Sequence, residues 1–214
     1  MVPNFDFDAV RGISSFKAKN WPAAVPLILV SHHPYDNISF RRRRVIFMIR
    51  DPRDVMVSAY FHETRHKHRF SGGISTFLQD YKLGIPALVR YLNGWANALG
   101  KCENVILSYE KLSLHTEAET ARVLRFIGCR IDEGALKAAI SAARFEAMRE
   151  IEISAGIPGH DYDRSDSDSL RMRRGKAQGY IEYLSATEIG IIENYCFEYL
   201  NPAAKLLVEK TCVN

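Results

Sequence analysis

Residues 45–61 read VIFMIRDPRDVMVSAYF, and this stretch sets the expectation for the rest of the chain. It opens with a short apolar run, 45–49, which is typical of a strand buried on both faces of a parallel sheet. Asp51 and Pro52 follow, and an N-cap residue before a proline predicts that a helix begins there. Free N–H groups at the start of that helix, beside the Arg50 guanidinium, predict a site for a phosphate-type anion.

The bulk properties indicate one ordinary globular domain. A chain of 214 residues is long enough to bury its own core, so 1–214 is taken as a single domain. A formal charge of +4 favours anionic ligands but is too small to indicate a nucleic-acid partner. No apolar run approaches the roughly 18 residues of a membrane span. The four cysteines show no CxxC spacing, so the sequence predicts a soluble cytoplasmic protein with reduced thiols.

Two further apolar runs predict additional strands of the same sheet. They are PLILV at 26–30 and the core of NVILSYEKL at 105–107. Helical stretches separate the strands, which indicates a three-layer α/β/α domain with a parallel sheet and right-handed crossovers. Ligands of such sheets lie beyond the carboxyl ends of the strands. The strands end near His32, Arg50 and Tyr109, so these three side chains are expected at one edge.

The remaining elements follow from helix-boundary signals such as prolines, glycines and one capping box. Helices are predicted near 74–83, 86–99, 116–127, 132–143, 145–151 and 186–200, with a short one after Pro202. The segment 155–179 is predicted to be a long loop, and loops of that length are usually functional.

From about 29 to 200, the motifs resemble those of sulfotransferases that use 3′-phosphoadenosine 5′-phosphosulfate. RDPRDVMVSAY is similar to the family's 3′-phosphate-binding stretch, in which an arginine and a serine eight residues later hold the phosphate. Arg50 and Ser58 match that pair in type and spacing. ILSYEKL resembles the family's strand-end tyrosine motif, which implies that Tyr109 is a weaker contact of the same nucleotide.

Two later motifs extend the resemblance. ARFEAMRE is similar to the family's Phe-x-x-Met helix, which places Phe145 and Met148 near the adenine. RMRRGKAQGYIEYLS resembles the late Arg-Lys-Gly segment that closes over the nucleotide. On that resemblance Arg173, Arg174 and Gly175 are nucleotide contacts, with Arg174 standing where lysine is common.

The stretch SHHPYD is similar to the family's Lys-Thr-His-x-Pro segment, which supplies the catalytic base. The resemblance makes His32 the base, whereas a shifted loop would give that role to His33. It also implies a transfer reaction with no metal ion. The acceptor is expected to be a small molecule or glycan with a hydroxyl or amine, bound by loops near 66–90 and 152–170. The oligomeric state stays open, a homodimer included.

Two departures from the family pattern bear on activity. Val30 stands where the family has a lysine, which removes a charge near the leaving group. The family also begins with a strand, a phosphate loop and a helix, and no such loop precedes His32. The implied fold is therefore a P-loop-NTPase-like α/β/α domain that is N-terminally incomplete. Either the loop lies upstream of this chain, or the protein is a degenerate member that binds nucleotide without catalysis.

A competing motif lies at the end of the predicted Arg-Asp-Pro helix. His62-Glu63-Thr64-Arg65-His66 matches HExxH, which on a helix can bind zinc with the glutamate as general base. The surrounding cationic residues disfavour a dication, and no further histidine follows at the metzincin spacing. A zinc hydrolase is accordingly the remote alternative.

Overall fold

The computed structural model describes residues 28, 30–40, 43–157 and 161–212. In chain order the elements are α1 (Asn37–Phe40), β1 (Val45–Ile49), α2 (Pro52–Phe61) continued by a π-helical stretch (His62–His66), α3 (Ile74–Gln79), α4 (Ile85–Leu99), β2 (Asn104–Ser108), α5 (Tyr109–Leu114), α6 (Thr116–Phe126), α7 (Glu133–Ala142), α8 (Phe145–Ala155), a 3-10 turn (Gly179–Glu182), α9 (Ala186–Tyr199) and α10 (Pro202–Glu209). None of the described helices has the length and apolar character required to cross a bilayer.

The two described strands pair in parallel, as predicted. Their register runs from Val45 opposite Asn104 to Ile49 opposite Ser108, so both strands end at the same edge. The third predicted strand, 26–30, lies largely outside the described residues. Within it only Ile28 and Val30 are described, and both are exposed.

The prediction that β1 is buried on both faces is wrong. Val45, Phe47 and Ile49 are buried, whereas Met48 is 53% exposed. Successive side chains of a strand point to opposite faces, so only the face that carries Phe47 is fully covered. That face packs on α4, where the Trp95 ring lies 5.4 Å from the Phe47 ring.

Local sequence signals account for most helix boundaries. Asp51 caps α2, and Ser185 with Glu188 forms a capping box at the start of α9. The predicted helix 74–83 ends early, at Gln79, because the Asp80 carboxylate accepts the N–H groups of Lys82 and Leu83 and so forms a turn. In the long predicted loop, the described residues 161–178 contain no helix or strand.

Candidate functional site

The carboxyl ends of the two strands place Arg50 and Tyr109 side by side. Arg50 directly follows β1, Tyr109 directly follows β2, and the guanidinium carbon lies 4.1 Å from the centre of the Tyr109 ring. This contact confirms that the strand ends bring these two residues to one edge of the sheet. A cation at this distance over a tyrosine ring is attracted by the negative face of the ring.

Carboxylates occupy the start of α2. The Asp51 side chain accepts the N–H of Arg53, and the buried Glu110 accepts the N–H of Asp51, both at 2.9 Å. Pro52 has no N–H to offer. The expectation that this helix end presents free N–H groups to an anion is therefore wrong at these positions, and the anion site has to be built from side chains.

Arg50 has a buried guanidinium N–H without an acceptor. Its Nη2 donates to the carbonyl of Lys176 at 3.1 Å and lies 3.4 Å from the Asp54 carboxylate. Its Nε is buried and has no hydrogen-bond partner, although the side chain as a whole keeps 26% of its surface exposed. Buried donors are nearly always paired in folded proteins, so this N–H is a candidate donor to a bound anion.

Arg173 has the same property. Its guanidinium lies between two aromatic rings, 4.2 Å from the centre of the Phe61 ring and 4.5 Å from that of Tyr183. Its Nη1 is buried without a hydrogen-bond partner. The neighbouring Arg174 is exposed, and its Nε donates to the Tyr183 hydroxyl at 3.1 Å.

The helical repeat places Ser58 on the same side of α2 as two residues that contact the arginines. Asp54, which contacts Arg50, lies one turn before Ser58, and Phe61, which contacts Arg173, lies nearly one turn after it. With a rise of 1.5 Å per residue, these two positions are about 6 Å and about 4.5 Å from Ser58 along the axis. Ser58 is exposed. We refer to Arg50, Ser58 and Arg173 as the candidate phosphate site.

Gly175 is the contact point between α8, which carries the Phe-x-x-Met motif, and residues 171–178, which we call the arginine-rich loop. It adopts a φ of +66°, and a Cβ at this position would lie 2.1 Å from Cδ2 of Phe145. Only glycine combines that backbone conformation with so close an approach. Two motifs that the sequence treats separately are therefore in direct contact.

Two buried carboxylates and one guanidinium hold the arginine-rich loop in place through hydrogen bonds to its backbone. Asp54 accepts the N–H groups of Gln178 and Tyr180, and Glu152 on α8 accepts those of Arg171 and Met172. Arg149, one turn before Glu152, donates to the carbonyls of Met172 and Arg173 at 2.6 and 2.7 Å.

No sequence motif singles out Asp54, Glu152 or Arg149. For Asp54 a signal existed, because an acid four residues after Arg50 in a predicted helix suggests an ion pair. Glu152 and Arg149 carried no such signal, since charged residues on a surface helix are ordinary.

A sulfotransferase-domain family model matches residues 11–203. The chain belongs to the sulfotransferase family. Sulfotransferase 2B1 of mouse is 25% identical over 169 residues, which are 74% of this chain and 49% of that protein. The 3-beta-hydroxysteroid sulfotransferase of guinea pig is 27% identical over 60% of this chain and 48% of its own length. This chain thus spans about half the length of the curated relatives it matches.

Solved structures show the same fold. Mouse sulfotransferase SULT7A1 complexed with PAP superposes with a TM-score of 0.68 at 16% identity, covering 86% of this chain and 70% of that one. A retinol dehydratase in complex with retinol and PAP superposes with a TM-score of 0.64 at 20% identity, covering 90% of this chain and 58% of that one. The prediction of an α/β sulfotransferase fold is confirmed.

The two histidines of the sulfotransferase base motif lie on the segment before α1, and both are exposed. The Trp95 indole donates to the carbonyl of His33 at 3.1 Å, which ties the segment to α4. In the part of the chain that the structure describes, no hydrogen bond or ion pair joins His32 to Arg50 or Arg173. The assignment of His32 as the base therefore stays a prediction.

The HExxH motif lies on the π-helical stretch that extends α2. Both Oε atoms of Glu63 accept hydrogen bonds from Arg69, at 2.6 and 2.7 Å, so its carboxylate is already engaged. The rings of His62 and His66 lie 5.6 Å apart. Among residues 30–40, 43–157 and 161–212, no group of three or more His, Cys, Asp or Glu side chains is arranged to hold a metal. The geometry gives the zinc-hydrolase alternative no support.

Burial governs the titration of His62. Loss of water contact lowers the pKa of its imidazole to about 4, and the nearby positive charge of Arg171 adds to the shift. His62 is therefore neutral at physiological pH.

Proposed function

We propose that this chain binds the 3′-phosphate of 3′-phosphoadenosine 5′-phosphosulfate and takes part in transferring its sulfuryl group to a hydroxyl of a small molecule. The observation that carries the proposal is that Arg50 and Arg173 each have a buried guanidinium nitrogen without a hydrogen-bond partner. A bound phosphate supplies the acceptor oxygens that these nitrogens lack. Charge-assisted bonds of this kind are the strongest hydrogen bonds in proteins.

The other matched residues have roles that their surroundings support. Tyr109 holds the Arg50 guanidinium from one side, and Gly175 lets the loop approach Phe145. Phe145 and Met148 would bound the adenine, and Arg174 would add positive charge at the exposed end of the loop. These roles follow the family pattern and the contacts described above.

The chemistry resembles phosphoryl transfer. The nucleotide supplies a sulfuryl group whose bond to the 5′-phosphate oxygen breaks as the acceptor oxygen bonds to sulfur. The chain's own residues align the nucleotide and neutralise its 3′-phosphate. His32 takes the proton of the acceptor hydroxyl, a general-base role that histidine fills more often than any other side chain. The products are 3′,5′-adenosine diphosphate and a sulfate ester.

A small-molecule hydroxyl is the acceptor class that the relatives favour. The guinea pig relative is a hydroxysteroid sulfotransferase, and solved complexes of the retinol dehydratase contain retinol or androsterone. An open cavity of about 370 Å³ borders the proposed acceptor segment 66–90, which also contains α3 and the start of α4; the cavity is lined by Tyr60, Thr64, Arg65, His68, Phe70, Ser71 and Gly72. Glycan or amine acceptors, a cytoplasmic location and a homodimer stay predictions from the sequence.

Calorimetric titration tests the nucleotide site. Arg50→Ala should weaken binding of 3′,5′-adenosine diphosphate by about 10- to 100-fold, the value of one or two charged hydrogen bonds, and should leave 5′-AMP binding nearly unchanged. Arg44→Ala is the matched control, because Arg44 is an exposed arginine that pairs with Glu103. Equal affinities of wild type and Arg50→Ala for the diphosphate would refute the proposed 3′-phosphate site.

An assay with isotope-labelled cosubstrate and hydroxysteroid or retinol acceptors tests the reaction. His32→Ala should abolish transfer while nucleotide binding persists, and His33→Ala should not. A wild-type chain that binds the diphosphate yet transfers sulfuryl to no acceptor would instead be the non-catalytic nucleotide-binding protein.

A further inference from the structure

The Asp54 carboxylate joins Arg50 of the candidate phosphate site to the backbone of the loop that carries Arg173. Its side chain is 2% exposed. Its two oxygens accept the N–H groups of Gln178 and Tyr180, each at 2.9 Å, and one oxygen lies 3.4 Å from Nη2 of Arg50. The residues that it joins are more than 120 positions apart in the chain, since the hydrogen bond from Gln178 spans 124 residues.

The loop backbone at this point adopts a conformation that needs support. Gln178 has a φ of +60°, in the left-handed region that residues other than glycine seldom adopt. This conformation has a free-energy cost for a residue with a Cβ. The hydrogen bond from its N–H to Asp54 compensates for that cost. Nη2 of Arg50 also donates to the carbonyl of Lys176, so Arg50 and Asp54 together hold the loop backbone at Lys176, Gln178 and Tyr180.

We propose that Asp54 is a positioning residue of the phosphate site. It fixes the Arg50 guanidinium against the loop backbone and thereby sets the spacing between Arg50 and Arg173. The proposal rests on the proposed function, because it concerns how the same site selects a 3′-phosphate.

Asp54 could affect phosphate affinity in two ways, by repelling the phosphate or by positioning Arg50. These two effects predict opposite changes in affinity when its charge is removed. A buried anion beside Arg50 repels a bound phosphate, so Coulomb interaction alone predicts that Asp54→Asn binds phosphate more tightly. Positioning predicts weaker binding, because an amide has only one acceptor oxygen for two backbone N–H groups and no charge to hold Arg50.

The experiment compares the affinities of 3′,5′-adenosine diphosphate and 5′-AMP by calorimetry. The Kd for 5′-AMP divided by the Kd for the diphosphate measures how strongly the site selects the 3′-phosphate. We expect this ratio to fall about tenfold in Asp54→Asn, in line with the loss of one charge-assisted contact. Asp54→Glu keeps the charge but moves it by one methylene, and the ratio should fall there too.

Glu188→Gln is the matched control. Glu188 is a buried carboxylate that accepts the backbone N–H of Ser185 and does not contact Arg50. Its loss should lower thermal stability without changing the ratio.

The outcomes separate the two proposals. A wild-type chain that does not prefer the diphosphate overturns the function and this inference together. A wild-type preference that persists in both Asp54 variants, or that increases in Asp54→Asn, overturns this inference alone.

Hydrogen exchange on the wild-type chain requires no variant to fold. Binding of the diphosphate, but not of 5′-AMP, should slow exchange of the Gln178 and Tyr180 amides, because both donate to the residue that holds Arg50. Unchanged exchange at these two amides would refute the coupling.

Discussion

Gly175→Ala is expected to destabilise the protein through the contact between the loop and α8. The new Cβ would lie 2.1 Å from Cδ2 and 2.6 Å from Cγ of Phe145, so the whole ring must move and not only its tip. Displacing a packed side chain costs about 1–3 kcal/mol. A φ of +66° adds roughly 1–2 kcal/mol for a residue with a Cβ.

A smaller effect acts in the opposite direction. Alanine restricts the unfolded chain more than glycine does, and this offsets about 0.4–1 kcal/mol of the lost stability. The net loss in the free energy of unfolding is then about 2–4 kcal/mol, which lowers the Tm of a domain of this size by roughly 5–15 °C. Urea unfolding followed by circular dichroism measures this loss.

A double-mutant cycle isolates the contact. Phe145→Ala removes the ring, so in that background Gly175→Ala should cost only the free energy of the left-handed backbone conformation. The two changes should therefore cost less together than the sum of their separate costs. If Gly175→Ala is as stable as wild type, or if the two costs simply add, the close approach of Gly175 and Phe145 is refuted.

Two further predictions concern buried groups near the site. Glu110→Ala leaves the Asp51 N–H and the Ser108 hydroxyl without their buried acceptor, so urea unfolding should show a loss of about 2–4 kcal/mol, while the exposed Glu133→Ala should show little. An Ala variant of Glu110 with wild-type stability would contradict this network. Burial lowers the pKa of His62 from 6.5 to about 4, so only the unfolded chain takes up this proton between those values. Stability should fall as the pH drops through that range, and His62→Gln should show a weaker dependence; parallel pH profiles would show that His62 titrates normally.

The local elements of the site could be predicted from sequence because short-range physical effects determine them. Five apolar residues predicted β1, and the Asp51-Pro52 pair predicted where α2 begins, since a cap and a fixed φ act within one turn of helix. That Arg50 and Tyr109 would meet followed from parallel pairing alone, because parallel strands end at the same edge. The roles of His32 and Tyr109 came from the resemblance and stay predictions.

Burial and the partners of charged groups could not be predicted in this way. The apolar run at 45–49 did not reveal that Met48 is exposed, because burial depends on what covers each face of the sheet. The acidic character of Glu110 did not reveal that it would occupy the N–H of Asp51 and so remove a site expected for an anion.

By itself the sequence determined the strand-turn-helix unit, the family and the residue types available for binding a phosphate. The tertiary structure alone decided that Asp54 and Glu152 hold the arginine-rich loop and that Gly175 lies against Phe145. The physical reason is that a carboxylate binds whichever donors the fold brings within 3 Å, and donors 19 to 124 residues away leave no mark on the local sequence pattern.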